Sequence, residues 1–138
     1  MKKLWILLLV LVLSSCQTSV EPQPSSDYYS MEIVGKYICS SDYFSNDYFI
    51  EYPECIPYIV FYDNGACEVL INYLEGIVTF SGDYHIQDTI VKVQFEFKGS
   101  IFEGDNDEYC FSILDENCIR IEQDCYTVQA GDLFKRMQ

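Results

Sequence analysis

The chain has 138 residues, with 22 acidic side chains against eight basic ones and a formal charge of −14, and 49% of it is apolar or aromatic. That balance supplies enough apolar material for one modest core, and its surface repels phosphate backbones, which sets nucleic acid aside as a partner. The same field attracts cationic proteins, peptides and metal ions, and it also keeps a small domain soluble.

The N-terminus begins with Lys2 and Lys3, runs through the apolar stretch Leu4 to Leu13 and arrives at Leu13-Ser14-Ser15-Cys16. This is the order of an export signal. As a helix the apolar run is about 15 Å long, half of a bilayer core, and therefore a poor permanent span. Leu13-Ser14-Ser15-Cys16 resembles the lipobox of bacterial lipoproteins. The resemblance implies diacylglycerol on the Cys16 thiol, fatty acylation such as palmitate and cleavage between Ser15 and Cys16. Residues 1–15 are then a signal peptide, and residues 16–30 are the lipidated cysteine and a tether whose Pro- and Ser-rich composition cannot recover the entropy of ordering. Residues 31–138 are left as one domain. After the cut, six basic residues face 22 acidic ones, a formal −16. Gln17 and Thr18 follow the cysteine with no aspartate at the second position, so the expected location is the cell envelope, at the outer membrane if the organism has two.

Beyond the tether the pattern is that of short strands. Ile33 to Ser40 and Pro57 to Tyr62 are rich in β-branched and aromatic residues, and Asp63-Asn64-Gly65 then marks a hairpin into Ala66 to Tyr73. In that strand Cys67, Val69, Ile71 and Tyr73 share one face, with Glu68 and Asn72 on the other. Gly76 opens a further strand through Gln87. After Asp88, the run Thr89 to Phe97 sets Val91, Val93, Phe95 and Phe97 against Lys92, Gln94 and Glu96, one face buried and one wet. Tyr109 to Leu114 and Cys118 to Glu122 flank a turn at Asp115-Glu116-Asn117, and Gly131-Asp132 leads into the closing segment Leu133 to Met137. No helical period is visible after the signal. About eight antiparallel strands predict an all-β domain closed into a small barrel, since closure removes the exposed edges; a β-sandwich is the alternative.

Five stretches, GKY at 35–37, FYDNGAC at 61–67, FSGDYHI at 80–86, FSILDENCIRI at 111–121 and GDLF at 131–134, are similar to the small lipocalin-like barrels of bacterial lipoproteins. The resemblance implies a fold rather than an activity. The chain departs from that group in its cysteines and in the long segment 41–54.

Removing Cys16 leaves Cys39, Cys55, Cys67, Cys110, Cys118 and Cys125, an even set that an oxidising compartment turns into three disulfides. Cys39 with Cys55 is the expected pair, because it staples the longest connection without clean alternation; Cys39 with Cys125 is the second choice. A three-residue turn at 115–117 places Cys118 opposite Leu114 and Cys110 opposite Glu122, against a bond between those two. Zinc is the rival reading, but there is no C-x-x-C pair and only one histidine.

The segment 41–54 contains Asp-Tyr-Phe twice, and its rings Tyr43, Phe44, Tyr48, Phe49 and Tyr52 are read either as a contact patch or as the packing of an irregular loop over one barrel end. Glu103, Asp105, Asp107 and Glu108 are the densest acidic run and the weak candidate for a hard cation such as calcium, although they lack the later residues of an EF-hand loop; a solvated turn is the plainer reading. His85 alternates on a strand face between Tyr84 and Ile86. No nucleophile stands in a recognisable motif, no phosphate loop or H-E-x-x-H is present, and no cofactor is implied.

The expected function is therefore a non-catalytic, lipid-anchored envelope interaction or binding module. The alternatives are a structural or accessory subunit of an envelope complex, an inhibitor of a cationic hydrolase such as lysozyme, similar in size, anchoring and charge to the small acidic lipoproteins that inhibit it, and a carrier of a small apolar ligand. The bulky inward side chains Val69, Ile71, Val91, Val93, Phe95 and Phe97 weigh against a carrier, because they fill a barrel rather than line a pocket.

Overall fold

The computed structural model describes residues 33–73 and 76–138. Its eight strands are β1 (Gly35–Cys39), β2 (Tyr58–Phe61), β3 (Ala66–Tyr73), β4 (Gly76–Gln87), β5 (Ile90–Phe95), β6 (Glu108–Asp115), β7 (Cys118–Ile121) and β8 (Leu133–Arg136). Each pairs antiparallel with its sequence neighbours, and β1 pairs with β8 to close a barrel. The expected barrel is thus the observed fold, and the sandwich is excluded. The signal segment 1–15, Cys16 and the tether 16–30 lie outside the described residues. Among the described residues no helix is long and apolar enough to cross a membrane.

Alternation builds the interior. Val91, Val93 and Phe95 are buried while Lys92 and Gln94 face outward, and Cys67, Val69 and Ile71 are buried on β3. Across the ladder, inward positions meet inward positions: Val69 stands opposite Phe80 and Val93 opposite Tyr84. Apart from Leu70, the buried apolar side chains of the described residues form a single cluster that spans all eight strands, so every strand contributes to one core.

The tight turns form where short polar side chains can replace ladder bonds. Between β2 and β3 the Tyr62 N–H donates to the Ala66 carbonyl at 2.9 Å, and Asn64 Oδ1 accepts from the Ala66 N–H at 3.1 Å. Gly65 takes a φ of +84°, which only glycine adopts freely. Between β6 and β7 the expected three-residue turn is a two-residue one. Asp115 rather than Leu114 stands opposite Cys118, and a bulge at Leu114 absorbs the extra residue. Asp115 Oδ1 accepts from the Asn117 N–H at 2.7 Å, which holds the tighter turn.

The cysteines correct the expected disulfides: Cys39, Cys55, Cys67, Cys110, Cys118 and Cys125 are all free thiols. The register explains much of this. Cys39, Cys67 and Cys125 are buried, whereas Cys110 and Cys118 hold outward positions on β6 and β7. Cys118 faces Asp115 across the ladder, so Cys110 lies about 16 Å away along β6, beyond the roughly 7 Å limit of a disulfide between Cα atoms. In place of the expected Cys39–Cys55 staple, Cys39 is buried in the core cluster, and the Cys55 sulfur, half-buried against that cluster, accepts the Tyr48 hydroxyl at 3.8 Å. The long connection is held by helical turns and buried rings instead.

Gly82 sits between the buried Phe80 and Tyr84 on β4, where a Cβ would lie 2.3 Å from the Gln94 carbonyl oxygen and 3.1 Å from Phe95 Cα. The backbones of β4 and β5 therefore approach more closely than any side chain permits. Gly82→Ala is expected to cost about 1–3 kcal/mol through overpacking, read as a lower urea midpoint at unchanged slope. An unchanged midpoint would show that this close approach is not a constraint.

Candidate functional site

An up-and-down barrel has two poles, and here they differ. Tight turns at 62–65, 88–89 and 116–117 occupy one; the long connections 40–57, 96–107 and 122–132, which leave β1, β5 and β7, occupy the other. The tight-turn pole also receives the chain at Ile33 and is closed by the Tyr37 hydroxyl donating to the Glu116 carbonyl at 3.3 Å. Arg136 joins this closure by donating to the Val34 and Glu116 carbonyls.

At the loop-rich pole the connection after β1 coils into helical turns. These are a 3-10 turn at Asp42–Ser45, a one-turn helix α1 at Asp47–Glu51 and a second 3-10 turn at Pro53–Cys55. The sequence shows no helical period here because each turn is too short to display one. Asn46 caps α1, its Oδ1 accepting from the N–H groups of Tyr48 at 3.1 Å and Phe49 at 3.4 Å. The two Asp-Tyr-Phe steps land in matching orientations. Phe44 and Phe49 are buried in the core cluster, while Tyr43, Tyr48 and Tyr52 are 60%, 52% and 42% exposed.

The five rings therefore divide into an anchor and a display. Phe44 and Phe49 meet edge to face at 4.9 Å between centroids, Tyr43 packs on Phe44 at 5.0 Å, Tyr48 on Phe49 at 5.0 Å, and Tyr52 lies 5.2 Å from Tyr48. Each exposed ring is thus held by a neighbour. A second aromatic plug secures the connection after β5, where Phe102 packs on Phe80 at 5.0 Å and on Tyr126 at 5.2 Å. Ile50 and Ile101, 71% and 85% exposed, extend the display. Sequence reading passed over both, since an isolated isoleucine in a polar loop carries no distinguishing signal.

Charge is equally uneven. The connections 40–57, 96–107 and 122–132 hold four, four and three carboxylates, against one cation, Lys98. The acidic run does not assemble a cage. Glu103 Oε2 accepts the Gly99 N–H at 2.7 Å, Asp105 Oδ2 accepts the Tyr126 hydroxyl at 3.0 Å, and Asp107 and Glu108 are exposed. Among the described residues no three His, Cys, Asp or Glu side chains converge so as to hold a metal ion.

His85 is exposed on the outer wall opposite Lys92, and so stands far from any enclosed site. Among the described residues no polar or charged side chain is buried. A cavity against Val69, Phe95, Phe111 and Val128 measures about 10 Å³, against the roughly 300 Å³ that a small-molecule site requires. Burial pushes the Cys67 thiol up to about 12 and those of Cys39 and Cys125 to about 11, so they stay protonated and unreactive near neutrality. No family model matches the chain, nor does any curated protein or solved structure.

Two predictions arise from this geometry. Phe49→Ala is expected to cost about 3–5 kcal/mol by opening the core, whereas Tyr43→Ser with Tyr48→Ser costs about 1–2 kcal/mol in lost ring contacts. Equal losses in urea unfolding would mean that the tyrosines only hold the loop. The second concerns pH. An unfolded Cys67 thiol releases its proton near 9 and the folded one near 12, so through that window the unfolded state binds fewer protons. The stability from keeping the thiol neutral is complete below pH 9 and is lost as pH rises toward 12. Cys67→Ala is expected to flatten part of the alkaline decline in unfolding free energy, and identical slopes for the two proteins would refute it.

Proposed function

We propose that the mature chain is a non-catalytic interaction module of the bacterial cell envelope, anchored by lipid on Cys16, which presents the loop-rich pole of its barrel to a partner. The observation that carries this reading is the split of the Asp-Tyr-Phe repeat, whose phenylalanines anchor in the core while its tyrosines stand exposed on a braced surface. Exposed rings on a rigid support bind at low entropic cost, because few rotamers remain to be lost.

The topology supports the same direction of display. The chain enters the barrel at Ile33, beside the tight turns, so the tether to Cys16 leaves from the pole opposite the tyrosines. Tyr43, Tyr48 and Tyr52 then point away from it. An anionic leaflet repels the acidic pole and favours this orientation. Where the cell has two membranes, the sequence after Cys16 favours the outer one.

The test has two arms. In cells, Cys16→Ser is expected to leave the protein out of the membrane fraction and to abolish uptake of labelled fatty acid; membrane retention, or a wild-type chain that takes no label, overturns the anchor. For the display, a photo-reactive phenylalanine derivative replaces Tyr48 or, at the opposite pole, Tyr62, which is 43% exposed. A discrete adduct from position 48 and none from position 62 is expected. No adduct at 48, or the same adduct from both, overturns the assignment of the contact surface.

A further inference from the structure

We infer that the partner docks a lysine- or arginine-rich face on the surface formed by Tyr43, Tyr48 and Tyr52; this rests on the reading of the loop-rich pole as the contact surface. Three observations converge on that segment. It carries Asp42, Asp47, Glu51 and Glu54 between and beside the rings, and no lysine or arginine occurs between Lys36 and Lys92. The ion pair formed within the described residues is Arg120–Glu122 on the wall of the barrel, so among the described residues none of these four carboxylates is paired with a cation. Within α1, Asp47 and Glu51 stand one turn apart, and like charges at that spacing oppose each other.

The tyrosines select among possible partners. A phosphate-bearing polymer or an anionic bilayer is repelled by the carboxylates. A bare metal ion finds no converging ligands among the described residues. A cationic protein face satisfies both chemistries at once. Its ammonium or guanidinium groups meet the carboxylates and the electron-rich ring faces, while its aliphatic stems cover the apolar parts of Tyr48, Tyr52 and Ile50. The barrel already makes a contact of this type on its outer wall, where the Lys36 ammonium lies 3.7 Å from the centre of the Tyr58 ring. Long-range attraction to the acidic pole speeds encounter, and the braced rings supply the short-range contact.

The experiment uses the purified mature lipidated chain in neutral detergent, with cytochrome c as a lysine-rich probe and lysine-acetylated cytochrome c as its control. Binding is read by calorimetry at about 0.05 M and 0.15 M salt, on either side of a Debye length of roughly 10 Å. The expected results are loss of binding on acetylation, about tenfold weakening by Asp47→Asn with Glu51→Gln and Glu54→Gln, and a similar weakening by Tyr43→Ser with Tyr48→Ser and Tyr52→Ser, which leaves the charge unchanged. The matching Tyr→Phe triple keeps the rings and is expected to bind within about twofold of wild type, which separates ring loss from misfolding. Neutralising Asp63, Asp88 and Glu116 at the opposite pole changes binding less than about twofold. No binding of the probe, equal effects of the two charge triples, or indifference to ring loss in the folded protein overturns the inference. If the in-cell adduct at position 48 persists under such a result, the contact surface stands and only its cationic partner is withdrawn.

Discussion

The pairing of the first strand with the last carries the rest of this structure. Tyr37 opposite Arg136, Ile38 opposite Lys135 and Cys39 opposite Phe134 turn a meander with two open edges into a closed wall. An open edge invites pairing with other chains, and the eight short strands could not each bury an apolar face without a common interior. The antiparallel order of that wall fixes the two poles. Connections after odd-numbered strands gather at one end and those after even-numbered strands at the other, and every contrast between the ends follows from which connections are long.

The loop-rich pole is built by the same apolar burial that fills the barrel. Phe44 and Phe49 close the core from one connection, and Phe97 and Phe102 from another, so these segments are ordered by what they bury rather than by regular hydrogen bonding. The tyrosines gain their fixed positions as a consequence, Tyr43 and Tyr48 resting on the buried Phe44 and Phe49, and Tyr52 on Tyr48. Such an end combines a rigid support with an exposed aromatic and acidic face, whereas the opposite end is closed by tight turns and by Arg136 bonding to backbone carbonyls.

The thiols show how composition misleads when geometry is missing. Six cysteines after position 16 predict disulfides on the ground that a small exported domain needs them, yet all six are free. The core does the work instead, with Cys39, Cys67 and Cys125 packed among aromatic and branched side chains as small apolar residues. Burial keeps them protonated, which removes the thiolate that disulfide exchange requires.

Period-two alternation and turn residues determined the eight strands, their order and the all-β class from sequence alone, because an inward face must repeat every second residue whatever lies across from it. The turn at Asp63-Asn64-Gly65 was equally legible, since few residues accept its backbone angles. The same local rules could not see further. Whether Leu114 or Asp115 meets Cys118 depends on a bulge, and whether two sulfurs meet depends on ladder positions far apart in the chain. The repeated Asp-Tyr-Phe announced an unusual segment but not which rings turn inward, because Phe44 and Phe49 pack into a core assembled from strands far apart in the chain. The gathering of acids at the pole remote from the chain's entry is likewise a product of topology: residues from three connections, distant in sequence, share an end only because antiparallel strands carry them there.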